Sequence, residues 1–142
     1  MRGYFATFVF ITLLIFNKSA LSQECSQTIE GNDLVQYNLA EIVVSSACEQ
    51  FTVTLEHVGQ LPANVMGHNW VLTSTADYMP VAANAQAIGP PSYLPESDPR
   101  IISATDMIGG GQETSVTFDV SVLELGGDYT YSVSYTHLTL PT

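Results

Sequence analysis

The stretch Phe51–Leu55, which reads FTVTL, decides the fold class. Its apolar and polar side chains alternate at every position, so an extended chain would present one apolar and one polar face. The stretch Val116–Val120, VTFDV, shows nearly the same alternation. A helix would instead need apolar residues three and four positions apart. Both stretches therefore predict β-strands with one buried face.

Short segments of the same kind recur along the chain, separated by turn residues such as the glycine run Gly109–Gly111. The further strand candidates are Ser26–Ile29, Glu41–Val44, Trp70–Thr73, Arg100–Ser103 and Tyr129–Ser132. About seven short strands separated by such turn residues are typical of two packed antiparallel sheets. The sequence therefore predicts an all-β protein, a Greek-key β-sandwich, and Trp70 is expected in its core.

Residues 74–99 lack this pattern of short alternating segments separated by turns. They contain an alanine-rich stretch, Ala82–Ala87, followed by Pro90, Pro91 and Pro95. Alanine is the strongest helix former, and proline ends helices. We predict a short helical flap that is inserted outside the sandwich.

The N-terminus has the pattern of a secretory signal peptide. Arg2 precedes the apolar run Tyr4–Phe16, which is too short for an ordinary transmembrane helix. The small residues Ala20 and Ser22 then have the spacing that a signal peptidase reads. We predict that residues 1–22 are removed after Ser22 and that the protein is exported to the periplasm without a membrane anchor.

The charge of the exported part is strongly acidic. All 14 acidic residues follow Ser22, whereas Arg100 is the only lysine or arginine beyond that point. Such a surface would repel phosphates, so nucleic acid and anionic lipid are excluded as expected partners.

The chain has two cysteines, Cys25 and Cys48. In an exported protein a disulfide between them is the default expectation. A two-cysteine metal site would need further histidines or cysteines at ligand spacing, and neither neighbourhood contains one. We therefore predict a structural disulfide.

A histidine, His68, lies within the segment Asn64–Leu72, which reads NVMGHNWVL. By itself a single histidine is more often a packed side chain than a metal ligand. The acidic residues form no paired catalytic motif, and the spacing suggests no Ser-His-Asp arrangement. An enzyme is therefore the least supported class.

Several motifs together carry a likeness to a known family. They are Glu24–Ser26, Gly31–Asp33, Cys48, Gln50–Val53, His57, Asn64–Leu72, Asp98–Arg100 and Ser115–Ser121. With these motifs the chain resembles the azurins, small exported blue-copper proteins with a cupredoxin-like sandwich. We predict an azurin-like domain over residues 23–131. The resemblance implies a monomer that binds one copper ion and passes single electrons between redox proteins.

The resemblance also implies roles for individual residues. His68 would be the first histidine ligand of a trigonal blue-copper site, and the backbone carbonyl of Gly67 would lie on its axis. Asn69 would hold the loops around the copper thiolate. Met66 would belong to an apolar surface where redox partners dock. His57 would pack near the copper region without binding the metal.

The remaining ligands of the family are a cysteine, a histidine and a methionine that follow the penultimate strand. Here the likeness ends at Tyr131, and residues 132–142 contain neither cysteine nor methionine. The run Val133–Thr142 equals, codon by codon, the translation of a transposon-end adapter used in sequencing libraries. We predict that residues 132–142 are a non-native tail and that the remaining ligands are absent from this sequence. His137 is therefore not assigned as a ligand, because Val133 occupies the expected cysteine position.

One alternative from a different class stays open at this point. A metal-free secreted β-sandwich could bind a partner through its acidic surface. The coding sequence downstream of Tyr131 discriminates between the two, because a copper carrier requires the missing ligand loop there.

Overall fold

The computed structural model describes residues 24–95 and 97–134. The predicted signal peptide, residues 1–22, and most of the predicted tail lie outside the described residues. The strands are β1 (Ser26–Gly31), β2 (Gln50–His57), β3 (Val71–Ser74), β4 (Ile101–Ala104), β5 (Glu113–Asp119) and β6 (Tyr129–Ser132). The helices are α1 (Ala63–Met66) and α2 (Tyr78–Ile88), and a single 3₁₀ turn spans Val120–Val122.

The first sheet has the order β1-β2-β5, with β1 parallel and β5 antiparallel to the central strand β2. The alternation of β2 appears as predicted: Phe51, Val53 and Leu55 are buried, whereas Thr52 and Thr54 lie on the outer face. Alternation therefore selects which face of the sheet meets the core.

The second sheet has the order β4-β3-β6, and both of its pairings are antiparallel. Trp70, which directly precedes β3, stacks on Phe118 of the first sheet with ring centroids 6.2 Å apart and on Tyr131 of β6 at 6.0 Å. Side chains of both sheets thus form one core. The predicted β-sandwich and the burial of Trp70 are confirmed.

One predicted strand is wrong. Residues 41–44 form no strand, although Ile42 and Val44 pack against the core and Val43 is 75% exposed. The side chains alternate as they would in a strand, but no strand of the described chain pairs with this segment. Strand formation requires a neighbour, which alternation alone does not supply.

The helical flap is confirmed as α2, which lies within residues 74–99 and buries Val81, Ala82 and Ala85. The helix ends at Gly89, whose φ of 70° is a left-handed value that glycine adopts without strain. No helix among the described residues has the length and apolar character needed to span a membrane.

Between α2 and β4, the guanidinium of Arg100 donates two hydrogen bonds to the carboxylate of Asp98. They are Nε to Oδ1 at 2.8 Å and Nη2 to Oδ2 at 2.5 Å. These bonds hold the pKa of Asp98 well below its ordinary value of 3.8. The folded state therefore favours the ionised carboxylate, and the resulting stabilisation is present above about pH 4 and is lost as the pH falls below it.

We expect Asp98→Asn to lower the melting temperature at pH 7, because the fork of hydrogen bonds to Arg100 is then broken. The difference from the parent chain should shrink as the pH falls below about 4, where the parent also loses the pair. Thermal unfolding from pH 7 to pH 2 measures this. Asp106→Asn, which removes an exposed carboxylate, is the control. A pH-independent difference would contradict the ion-pair explanation.

The predicted disulfide is confirmed between Cys25 and Cys48, whose Cα atoms are 5.7 Å apart. It joins the residue before β1 to the segment that leads into β2. Because β1 and β2 are parallel, the bond fixes the starts of both strands side by side.

Candidate metal centre

His68 lies between α1 and β3, where its backbone pairs with Ile108 through two hydrogen bonds of 2.9 and 2.8 Å. Its side chain is fully buried, and neither ring nitrogen has a hydrogen-bond partner within the described part of the chain. Buried polar atoms are nearly always paired, because leaving one unpaired costs free energy. Two orphaned nitrogens on one buried ring are therefore a feature that a metal ion would explain.

The ring of His68 is tightly enclosed. A Cβ atom added at Gly31, at the end of β1, would lie 2.5 Å from its Cδ2 atom. The ring of His57 meets it edge to face with centroids 4.4 Å apart, and Tyr37 does so at 6.3 Å. Glycine at position 31 is thus required for the imidazole to occupy this place.

Burial, together with the neighbouring His57, lowers the pKa of His68 from 6.5 to about 4. The imidazole is therefore neutral at neutral pH, with a nitrogen lone pair available. Neutral imidazole is the form that binds metals.

His57 is also buried, but both of its ring nitrogens are used. Nδ1 accepts the backbone N–H of Gly59 at 3.1 Å, so Nε2 carries the proton and donates it to the carbonyl of Met66 at 2.7 Å. His57 therefore fixes the backbone two residues before His68 and has no nitrogen left for a metal.

Gly67 is buried between Met66 and His68. An added Cβ atom would lie 2.5 Å from the carbonyl oxygen of Ala63 and 2.8 Å from the sulfur of Met107. The backbone approaches its surroundings this closely only because the residue has no side chain.

Asn69 connects this segment to the chain that follows β6. Its Oδ1 accepts the backbone N–H of Ser134 at 2.9 Å, and its Nδ2 donates to the hydroxyl of Ser134 at 3.1 Å. Ser134 and Val133 are both buried. The residue next to His68 is thus bonded to the residue that follows the expected cysteine position.

The surface beside the site is apolar. Met66 is half-buried, whereas its neighbours Val65 and Leu61 are 60% and 38% exposed. The carboxylate of Asp33 holds the loop that carries Leu61. It accepts hydrogen bonds from the backbone N–H groups of Gln60 at 2.8 Å and Leu61 at 3.2 Å. Sequence reasoning missed Val65, Leu61 and Asp33; the only local signal was the Gly-Asn-Asp turn that ends at Asp33.

The donor set fits a copper site only in part. Among the described residues, no group of three or more His, Cys, Asp or Glu side chains could hold a metal ion. Both cysteines of the sequence are consumed by the disulfide, so no thiolate is present. His137 lies outside the described residues. The residues present supply one imidazole of a trigonal blue-copper site and lack its thiolate.

Comparison with known proteins places this partial site in context. The family model for copper-binding proteins of the plastocyanin/azurin family matches residues 23–140. Azurin of Bordetella pertussis is 48% identical over 121 residues, which cover 84% of this chain and 81% of the relative. Azurin of Pseudomonas aeruginosa is 45% identical over 124 residues, covering 87% and 84%. Azurin-1 of Alcaligenes xylosoxydans xylosoxydans is 50% identical over 113 residues, covering 79% and 88%.

The relatives match most of the chain, and the range matched by the family model includes both sheets, the flap and the segment around His68. They confirm the resemblance, copper as the cofactor and electron transfer as the function. The chain belongs to the plastocyanin/azurin family of blue-copper electron-transfer proteins.

Proposed function

We propose that His68 and the backbone carbonyl of Gly67 form one side of a type 1 copper site, and that a cysteine, a histidine and a methionine following Tyr131 in the natural protein complete it. The observation that carries this proposal is the fully buried His68 ring with two unpartnered nitrogens. Asn69 stabilises the site, because its two hydrogen bonds to Ser134 set the distance between the His68 segment and the chain after β6.

Residues 132–142 are, on this proposal, a non-native tail. The support is the absence of cysteine and methionine from these residues and the identity of Val133–Thr142 with a translated adapter. Ser132 is nevertheless the last residue of β6, where it pairs with Val71, and Ser134 bonds to Asn69. Backbone pairing tolerates many side chains, so a foreign sequence can extend a strand even when it cannot supply a ligand.

The protein acts in the periplasm as a monomer, with residues 1–22 cleaved as a signal peptide. The disulfide supports export, because such bonds persist in oxidising compartments. The protein carries electrons and turns over no substrate of its own, as its membership of this family of electron carriers suggests.

Redox partners dock on the apolar surface formed by Met66, Val65 and Leu61. Charge can guide only basic partners, because Arg100 is already bound by Asp98. We expect Met66→Lys, in the copper-loaded protein with a natural C-terminus, to slow electron transfer to a soluble partner by weakening apolar contact. Rates measured against ionic strength check this, with exposed Met79→Lys on the flap as the matched control. Wild-type rates with every partner would rule out docking at Met66.

The role of His68 is tested in a chimaera in which residues 132–142 are replaced by the matching C-terminal segment of Pseudomonas aeruginosa azurin. We expect His68→Gly in this chimaera to open a copper coordination position, changing its visible spectrum. Added imidazole should enter the space and restore part of the original band. His57→Gln, which alters the neighbouring packed ring, is the control and should show no imidazole effect. A His68→Gly chimaera with an unchanged spectrum would overturn the assignment.

A further inference from the structure

The loop that follows β2, residues 58–61, lies at the surface, yet each of its four N–H groups has a hydrogen-bond partner in another segment or in β2. The partners are the carbonyl of Gly31, Nδ1 of His57 and the two carboxylate oxygens of Asp33. Asp33 alone accepts two of the four N–H groups, at 2.8 and 3.2 Å, from residues 27 and 28 positions further along the chain. One side chain thus bonds the turn after β1 to the loop after β2.

Asp33 lies in a tight turn, residues 32–36, that has a strained backbone. The side-chain oxygen of Asn32 accepts the N–H of Leu34 at 2.8 Å, and its carbonyl accepts the N–H of Val35 at 3.2 Å. Val35 has a φ of 58°, a left-handed value that a β-branched residue rarely adopts. Such strain persists only where the surrounding structure maintains it, and it is concentrated at functional sites. The turn holds Asp33 in a fixed orientation towards the loop.

The carboxylate of Asp33 fits closely against the loop. A Cβ atom added at Gly59 would lie 2.2 Å from its Oδ1 atom, so the fit requires a residue without a side chain at this position. The hydrogen bond from the backbone of Gln60 is the main cause that lowers the pKa of Asp33 below its ordinary value of 3.8. The group is therefore ionised at neutral pH and accepts both bonds, whereas an asparagine would offer a single acceptor oxygen.

We propose that Asp33 is a positioning residue for electron transfer, because it holds Leu61 in the orientation in which a redox partner contacts it. This inference rests on the proposed docking surface of Met66, Val65 and Leu61. Leu61 is 38% exposed and lies outside the core. Its backbone is fixed by Asp33 at the N–H group and by the N–H of Gly110 at the carbonyl, at 2.8 Å. A loop that is ordered before binding loses less conformational entropy when the partner docks.

The first measurement uses the purified chain without metal. We expect Asp33→Asn to speed hydrogen exchange at the amides of Gln60 and Leu61 by about tenfold or more, because at least one of the two bonds is lost. Asp119→Asn is the control, since it removes an exposed carboxylate at the opposite end of β2, and it should leave these amides unchanged. Unchanged exchange in Asp33→Asn would overturn the proposal.

The second measurement uses the copper-loaded chimaera, with reduced cytochrome c as a soluble one-electron donor and with high salt to screen charge. We expect Asp33→Asn to lower the second-order rate constant about three- to tenfold, with the visible copper band and the reduction potential unchanged. Asp119→Asn has the same loss of charge and should keep the parent rate. Gly59→Ala displaces the carboxylate without removing its charge, and it should slow transfer as Asp33→Asn does.

A double variant separates docking from folding. Asp33→Asn combined with Met66→Lys should transfer electrons at nearly the rate of Met66→Lys alone, because both changes act through one surface. Fully additive losses, a changed copper band or potential in Asp33→Asn, or a parent rate in Asp33→Asn while Met66→Lys is slow would each overturn the proposal and leave the docking surface in place. A parent rate in Met66→Lys would rule out the docking surface itself, and this role of Asp33 with it.

Discussion

Titrated with Cu(II), the chain that carries residues 132–142 as its C-terminus should develop no intense visible charge-transfer band. That band needs a cysteine thiolate bound to copper, and the two cysteines are joined to each other as Cys25–Cys48. The position expected to supply the thiolate carries Val133, which is buried. The remaining ligand, His68, offers one imidazole, and one imidazole holds copper only weakly.

Absorption spectra recorded across the Cu(II) titration measure this directly. Weak binding that involves His68 should disappear in His68→Ala, which is the matched control. An intense band from this chain would show that this prediction is wrong, because copper would then have to bind a sulfur atom of Cys25 or Cys48, which are joined in the disulfide.

Replacing Cys25 and Cys48 by alanine should lower the free energy of unfolding by about 3–4 kcal/mol, the value of the chain-entropy model for a loop of this size. The two residues are separated by 23 positions. Without the cross-link, the unfolded chain gains conformations that the folded chain cannot use. The start of β1 also loses its anchor beside β2.

Urea unfolding of the parent and of the double alanine variant measures this loss. The parent, once reduced by a thiol reagent, is the internal control and should fall to nearly the same stability. Typical domains are stable by only about 5–15 kcal/mol, so the loss should be visible as partial unfolding at moderate temperature. A loss below about 1 kcal/mol would show that packing alone holds β1 in place.

The sandwich was predictable because apolar and polar side chains alternate in β2 and β5, so that each strand has one apolar face to bury. The flap was predictable because alanine and proline act through local backbone preferences. Residues 41–44 show the limit of this reasoning: their pattern is that of a strand, yet a strand exists only where another one pairs with it. The short helix α1 was missed because it is a single turn, in which the N–H groups of Val65 and Met66 both bond to the carbonyl of Pro62.

The candidate site was predictable only in part for the same reason. The segment around His68 carries a likeness that local sequence reveals. The hydrogen bonds that join Asn69 to Ser134 span 65 positions, and no local pattern encodes them. The unpartnered nitrogens of His68 likewise depend on how Gly31, His57 and Tyr37 enclose the ring. Side chains brought together by tertiary packing are visible only once the fold is known.

If this domain provides the His68 side of a copper site, a cysteine-bearing C-terminal segment should complete that site. The most direct measurement is a Cu(II) titration of the chimaera in which residues 132–142 are replaced by the matching segment of Pseudomonas aeruginosa azurin, followed by visible absorption. We expect an intense band that saturates at one copper per chain and disappears reversibly on one-electron reduction. A folded chimaera with an intact disulfide that takes up copper without this band, or that binds none, would contradict this expectation.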